Sequence, residues 1–185
     1  MDLRDEPFDV EVVDTQTGYT GHVWDVVEDR FRYGDAELVR HYVDHPGAVA
    51  VVAIDDERRV LLLQQYRHPI QARDWEIPAG LRDVPGEPAV ETAKRELAEE
   101  ADLTAREWEP LGRFALTPGG SNEHIDVFLA TGLAATEEPF PRDAEEADIR
   151  VEWLPLDDAL AAVRAGRFVN ATTALGLLSA ADRLR

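Results

Sequence analysis

The 185-residue chain has no cysteine, and Lys94 is its only lysine. Without cysteine, disulfides, thiolate nucleophiles and zinc–thiolate sites are excluded. Long hydrophobic runs are missing as well. The longest purely apolar stretch, Ala48–Ile54, is far short of the roughly 20 residues that a membrane-spanning helix needs. The opening residues, MDLRDEPFDV, lack the apolar core of a secretory signal. The expectation is a soluble, cytoplasmic protein with no membrane partner. Positive charge is also scarce: 38 Asp and Glu face 19 Lys and Arg, for a formal net charge of −19. Clustered Lys and Arg hold nucleic acids, so the balance argues against a nucleic-acid partner. It leaves room for a small phosphate ligand held by a few arginines and a divalent metal. At 44% hydrophobic residues the chain can bury one domain's core, with at most a small appendage.

Short β-prone runs at Val10–Val13, His22–Val27 and Leu38–Val43, parted by Gly18, Gly21 and Gly34, predict a small antiparallel appendage over residues 1–45. The main domain then covers 46–185. Ala48–Ile54 has the composition of a buried strand, and Val60–Tyr66 follows a polar turn as a second one. Trp75–Pro78 is short and extended, and a Gly/Pro-rich loop is expected from Ala79 to Glu87. Pro88–Ala101 has helical spacing, with Val90, Ala93, Leu97 and Ala101 on one face. Strands are expected at Trp108–Leu116, Ile125–Gly132 and Arg150–Leu154. Asp157 is expected to cap a helix that ends at Gly166, and Thr172–Leu184 makes a last amphipathic helix. Strands and helices interleave without a regular βαβ repeat, which predicts an α/β sandwich with a mixed sheet.

The informative stretch is GLRDVPGEPAVETAKRELAEEADL, Gly80–Leu103. On a helix, Glu96 and Glu100 share a face, with Glu99 beside them. Two readings are open for such a cluster. It is a solvated acidic face, or it is a site for a hard divalent cation such as Mg²⁺, which takes oxygen ligands.

The wider spacing decides between them. Gly80, Glu87 and the block Arg95-Glu96-Leu97-x-Glu99-Glu100 resemble the Nudix box, G-x5-E-x7-R-E-U-x-E-E-x-G-U. Seven residues separate Glu87 from Arg95, as the box requires. Six rather than five separate Gly80 from Glu87, and Asp102 stands where the box has glycine. Outside the box, Gln65-Tyr66-Arg67, Trp75-Glu76-Ile77-Pro78-Ala79-Gly80, Thr117–Glu123 with Pro118, and Glu145-Glu146-Ala147-Asp148 resemble the ADP-ribose pyrophosphatases among Nudix hydrolases. The resemblance runs from about Leu38 to the C-terminus.

This resemblance implies an α/β/α Nudix sandwich and Mg²⁺-dependent hydrolysis of ADP-ribose to AMP and ribose 5-phosphate, with Mn²⁺ a possible substitute. It implies that Ala79, through its carbonyl, and Glu96, Glu99, Glu100 and Glu146 hold metal, while Arg95 orients a box glutamate. Arg67, Leu81 and Glu123 would contact substrate. Glu145, or else Glu146, would activate the attacking water, and the appendage would help form a homodimer. Two alternatives are a broader nucleoside diphosphate sugar pyrophosphatase and a non-catalytic nucleotide-binding sensor.

Overall fold

The computed structural model describes residues 2–138, 140 and 148–185. The chain divides into two units. One holds the residues up to Pro46 together with Thr117–Glu123; the other holds Gly47–Leu116 and His124–Arg185.

In the first unit, β1 (Glu11–Thr20), β2 (Asp25–Tyr33) and β3 (Ala36–Asp44) form an antiparallel sheet in that order. The strands are longer than the apolar runs suggested. In β1 every residue is exposed, so no buried face imposes the alternation that would reveal a strand. Gly34, at φ +59°, makes the tight turn between β2 and β3. Thr117–Glu123 is bonded to the end of β3: the Val43 N–H donates to the Gly120 carbonyl (2.9 Å), and the His45 N–H to Asn122 Oδ1 (2.8 Å).

The second unit is built on β4 (Ala48–Ala53), whose six residues are all buried. Its alternate side chains feed two cores. Val49, Val51 and Ala53 pack with Ala93 and Leu97 of α1 (Ala89–Ala101). Ala48, Ala50 and Val52 pack with residues of α2 (Leu156–Arg164) and α3 (Ala171–Arg183). A strand covered on both faces needs an unbroken apolar run, and this one accounts for the expected α/β/α layering. The strand order is β7 (Ala79–Leu81), β4, β9 (His124–Ala135), β8 (Leu103–Ala115), with β4 and β9 parallel. A second, antiparallel sheet orders β10 (Arg150–Pro155), β5 (Arg59–Arg67) and β6 (Ala72–Glu76).

Two local expectations are corrected. Ala79–Leu81 belongs to a strand, paired with Ala48–Ala50, rather than to the expected loop; Ala-Gly-Leu has no β-branched residue to signal it. Asp157 does not cap α2. Pro155 occupies that position, and Asp157 and Asp158 lie in the first turn, where acids complement the helix dipole.

The loop that carries the extra residue turns at Gly86 (φ +79°), with the Glu87 N–H bonded to the Val84 carbonyl (3.2 Å). Asp102 adopts the left-handed conformation (φ 54°, ψ 36°) that ends α1, which aspartate tolerates better than most residues. Its carboxylate also accepts the Phe140 N–H at 2.7 Å, a bond that glycine could not make. Asp102→Ala is expected to lower stability by about 1–2 kcal/mol, from backbone strain plus one lost hydrogen bond. The measurement is the urea midpoint, and an unchanged midpoint would contradict the assignment. Asp102→Gly, free of the strain, should lose less.

Candidate active site

The acidic face of α1 meets the backbone of β7. The Ala79 N–H donates to Glu100 Oε2 at 2.9 Å. Glu96 lies directly over Gly80: a Cβ there would stand 1.9 Å from the Glu96 carboxyl carbon. Glycine is therefore required by close approach, not by its φ angle. Arg95 Nη1 donates to Glu96 Oε1 (2.7 Å) and Glu99 Oε2 (3.2 Å), while Nη2 lies 3.6 Å from Asp83 and 3.7 Å from Glu87. Glu87 is itself held by the Thr92 hydroxyl, which donates to its Oε2 at 2.8 Å. Thr92 is fully buried one helical turn before Glu96.

Electrostatically the group is under tension. Burial pushes the Glu100 carboxyl up to about 8, against the lowering effect of the Ala79 N–H, and the neighbouring Glu96 and Glu76 charges add to the rise. Although the residue is only partly buried as a whole, its carboxyl group sits deep enough for desolvation to dominate. Burial also raises Glu96, in spite of the opposing Arg95 charge.

Beside these carboxylates, Arg67 at the end of β5 grips Glu76 of β6 with both arms of its guanidinium, Nε to Oε1 at 2.7 Å and Nη2 to Oε2 at 2.6 Å. Glu76 is one of four buried polar residues among those described, at 7% exposure. Glu100 and Asp74 both act on the Arg67 charge.

Of the residues singled out from the sequence, Ala79, Arg95, Glu96, Glu99 and Glu100 are brought together, and Arg67 is within electrostatic reach of Glu100. Leu81 is not in this group. It is half-buried and pairs with Ala48. Glu123 lies in the first unit, 4.0 Å from His45 Nε2. Glu145 and Glu146 lie outside the described residues. Sequence reasoning missed Glu76 and Thr92. A charged residue flanked by Trp75 and Ile77 in an extended run is the one signal that could have exposed Glu76; nothing in the spacing marks Thr92.

Among the described residues, no three acidic or histidine side chains stand in ligating geometry, and Arg95 is bonded to Glu96 and Glu99. The donor set is nevertheless suited to a divalent cation. It is all oxygen, as Mg²⁺, Ca²⁺ and Mn²⁺ prefer. The bare backbone of Gly80 leaves the space that the Glu96 carboxylate fills. Glu100 is a buried carboxyl whose desolvation a cation would offset.

Residues 44–172 match the family model described as the NUDIX domain. The chain is 41% identical over 172 residues to an ADP-ribose pyrophosphatase of Mycobacterium tuberculosis, covering 92% of this chain and 83% of that one. It is 37% identical over 160 residues to an ADP-ribose pyrophosphatase of Bacillus subtilis, covering 86% and 85%. A methanol dehydrogenase activator of Bacillus methanolicus is 33% identical over 171 residues, covering 92% and 91%. Among solved structures, an ADP compounds hydrolase shares the fold at a TM-score of 0.78 and 19% identity, covering 98% of this chain and 97% of that one.

Proposed function

From the premise that this chain belongs to the Nudix family, we propose that it hydrolyses the pyrophosphate bond of ADP-ribose, giving AMP and ribose 5-phosphate. The 41% identity to the mycobacterial ADP-ribose pyrophosphatase, sustained over nine-tenths of the chain, carries this reading of the substrate. Nudix hydrolases use a divalent metal, here Mg²⁺ with Mn²⁺ as a substitute.

Ala79, Glu96, Glu99 and Glu100 would hold the metal, with Glu146 as a further ligand. When bound, such a cation neutralises diphosphate charge and makes a water more acidic. Arg95, restrained from the far side by Glu87, orients Glu96 and Glu99. Arg67 presents a guanidinium to a phosphate, which it suits by planarity and permanent charge. Glu145 takes the proton of the attacking water. Leu81 and Glu123 are proposed substrate contacts. The first 45 residues, with β1 exposed throughout, are proposed as the element that pairs two copies in a homodimer. Trp24 lines an open cleft of about 360 Å³ in the first unit. The cytoplasm, where ADP-ribose would be met, is the proposed location.

The test is a substrate panel with Mg²⁺: ADP-ribose, NADH, GDP-mannose, UDP-glucose, diadenosine polyphosphates and 8-oxo-dGTP, with product identification. AMP released chiefly from ADP-ribose is the expected result. Comparable rates across the sugars would favour the broader pyrophosphatase. Binding without turnover would favour a sensor.

A further inference from the structure

We infer that Glu76 is a positioning residue that aims Arg67 at the substrate's phosphate, an inference that rests on the function proposed above. A bidentate guanidinium–carboxylate pair fixes direction as well as distance, because both partners are planar. With Nε and Nη2 both committed to Glu76 at 2.7 and 2.6 Å, the Arg67 side chain cannot turn about its stem. Arg67 remains 45% exposed while Glu76 is 9% exposed at the side chain. The pair is thus a buried anchor with a charged head facing outward.

Glu76 is in turn held from behind. The two residues flanking it bond one hydroxyl: Thr173 Oγ1 donates to the Trp75 carbonyl and accepts from the Ile77 N–H, both at 3.2 Å. One residue further back, Asn170 Nδ2 donates to Asp74 at 3.1 Å, while Asn170 Oδ1 caps α3 by accepting the Thr173 N–H. The backbone that carries Glu76 is therefore fastened to the start of α3, and Arg67 is held to that backbone through the fork.

Stability alone does not explain this arrangement. Burying a carboxylate is costly, and apolar residues of similar volume commonly do as well as a buried ion pair. What an apolar pair could not do is hold a permanent positive charge at one angle within electrostatic reach of Glu100.

The test compares wild type, Glu76→Gln, Arg67→Ala and the double variant. Glutamine keeps the shape, but its amide N–H₂ faces the Arg67 donor, so one arm of the pair is lost. For Glu76→Gln we expect KM for ADP-ribose to rise about tenfold, because Arg67 must then be ordered by the substrate itself. We expect kcat to stay within about twofold, and the melting temperature to fall by a few degrees as a partly buried pair loses one arm. In the Arg67→Ala background the same change should add nothing to KM, since no guanidinium is left to aim. A Glu76→Gln enzyme with wild-type KM would overturn the inference. So would an equal KM penalty with and without Arg67, which would mark an independent structural role. If Glu76→Gln folds poorly, Glu76→Asp keeps the charge but draws the carboxylate back by one methylene, out of reach of the fork, and the same KM rise is expected. Binding of inorganic pyrophosphate in Mg²⁺ separates the two levels of failure. A wild type that binds pyrophosphate but turns over no ADP-ribose defeats the proposed substrate; pyrophosphate affinity unchanged in Glu76→Gln defeats the aiming role.

Discussion

Glu100→Gln is expected to lower turnover by about a thousandfold or more, roughly 4 kcal/mol of barrier, while the protein stays folded. Glutamine has the size of glutamate, and its amide oxygen can still accept the Ala79 N–H that now meets Glu100 at 2.9 Å. Only the charge is removed. The same substitution should change stability in the opposite sense when metal is chelated. The folded pKa of Glu100, about 8, lies above the usual value of 4.5, so the folded protein holds a proton that the unfolded chain has released. That contribution is fully present below the ordinary Glu range and is lost as pH rises toward 8, by at most ~1.4 kcal/mol per pH unit. Glutamine has no such proton to lose. Chelated Glu100→Gln should therefore be more stable than wild type above pH 8, by on the order of a few kcal/mol, and the difference should vanish near pH 4. Added Mg²⁺ should raise the wild-type melting temperature and leave the variant's nearly unchanged. Denaturation at several pH values with chelator, beside steady-state rates with Mg²⁺, measures both halves. Wild-type rates in the variant would end the assignment of this helix to metal.

Gly80→Ala is the second large effect, and it separates activity from stability. The added methyl would meet the Glu96 carboxyl group at 1.9 to 2.3 Å. The clash falls on the tip of a flexible side chain, so Glu96 can swing away at little expense, and the fold should lose no more than about 1 kcal/mol. The carboxylate, however, can no longer occupy its place over the β7 backbone. Displacement of about 1 Å in a reacting assembly can lower the rate a hundredfold, and a loss of at least that size is expected. Wild-type kcat/KM in a well-folded Gly80→Ala protein would show that Glu96 has no fixed duty above Gly80.

The box helix was legible because its signals are local. Pro88 stands at the start of α1, apolar residues recur at its period, and Asp102 ends it in a conformation open to few side chains. β4 was legible because a strand buried on both faces is an unbroken apolar run. β1 was under-read because an exposed strand has no inward face to alternate against an outward one. β7 was missed because three residues without a β-branched side chain are recognisable only once Ala48–Ala50 lies beside them. The Arg67–Glu76 grip is a matter of register: it exists because Leu63 pairs with Glu76 and Arg67 with Ala72, and no spacing along one chain reports how two strands align. Thr92 was hidden for a related reason, since its partner Glu87 approaches only after the turn at Gly86 folds back.

β4 has a consequence beyond its own packing. It is a party wall between two rooms, with the Val49, Val51 and Ala53 side leaning on α1 and the Ala48, Ala50 and Val52 side on the terminal helices. Val49 is also the register partner of Gly80. Enlarging a residue on the first side pushes against the carboxylate helix; enlarging one on the second pushes against α3, which fastens Glu76. Room at these six positions is thereby limited to small aliphatic side chains, because any larger one strains a neighbouring layer on one side or the other.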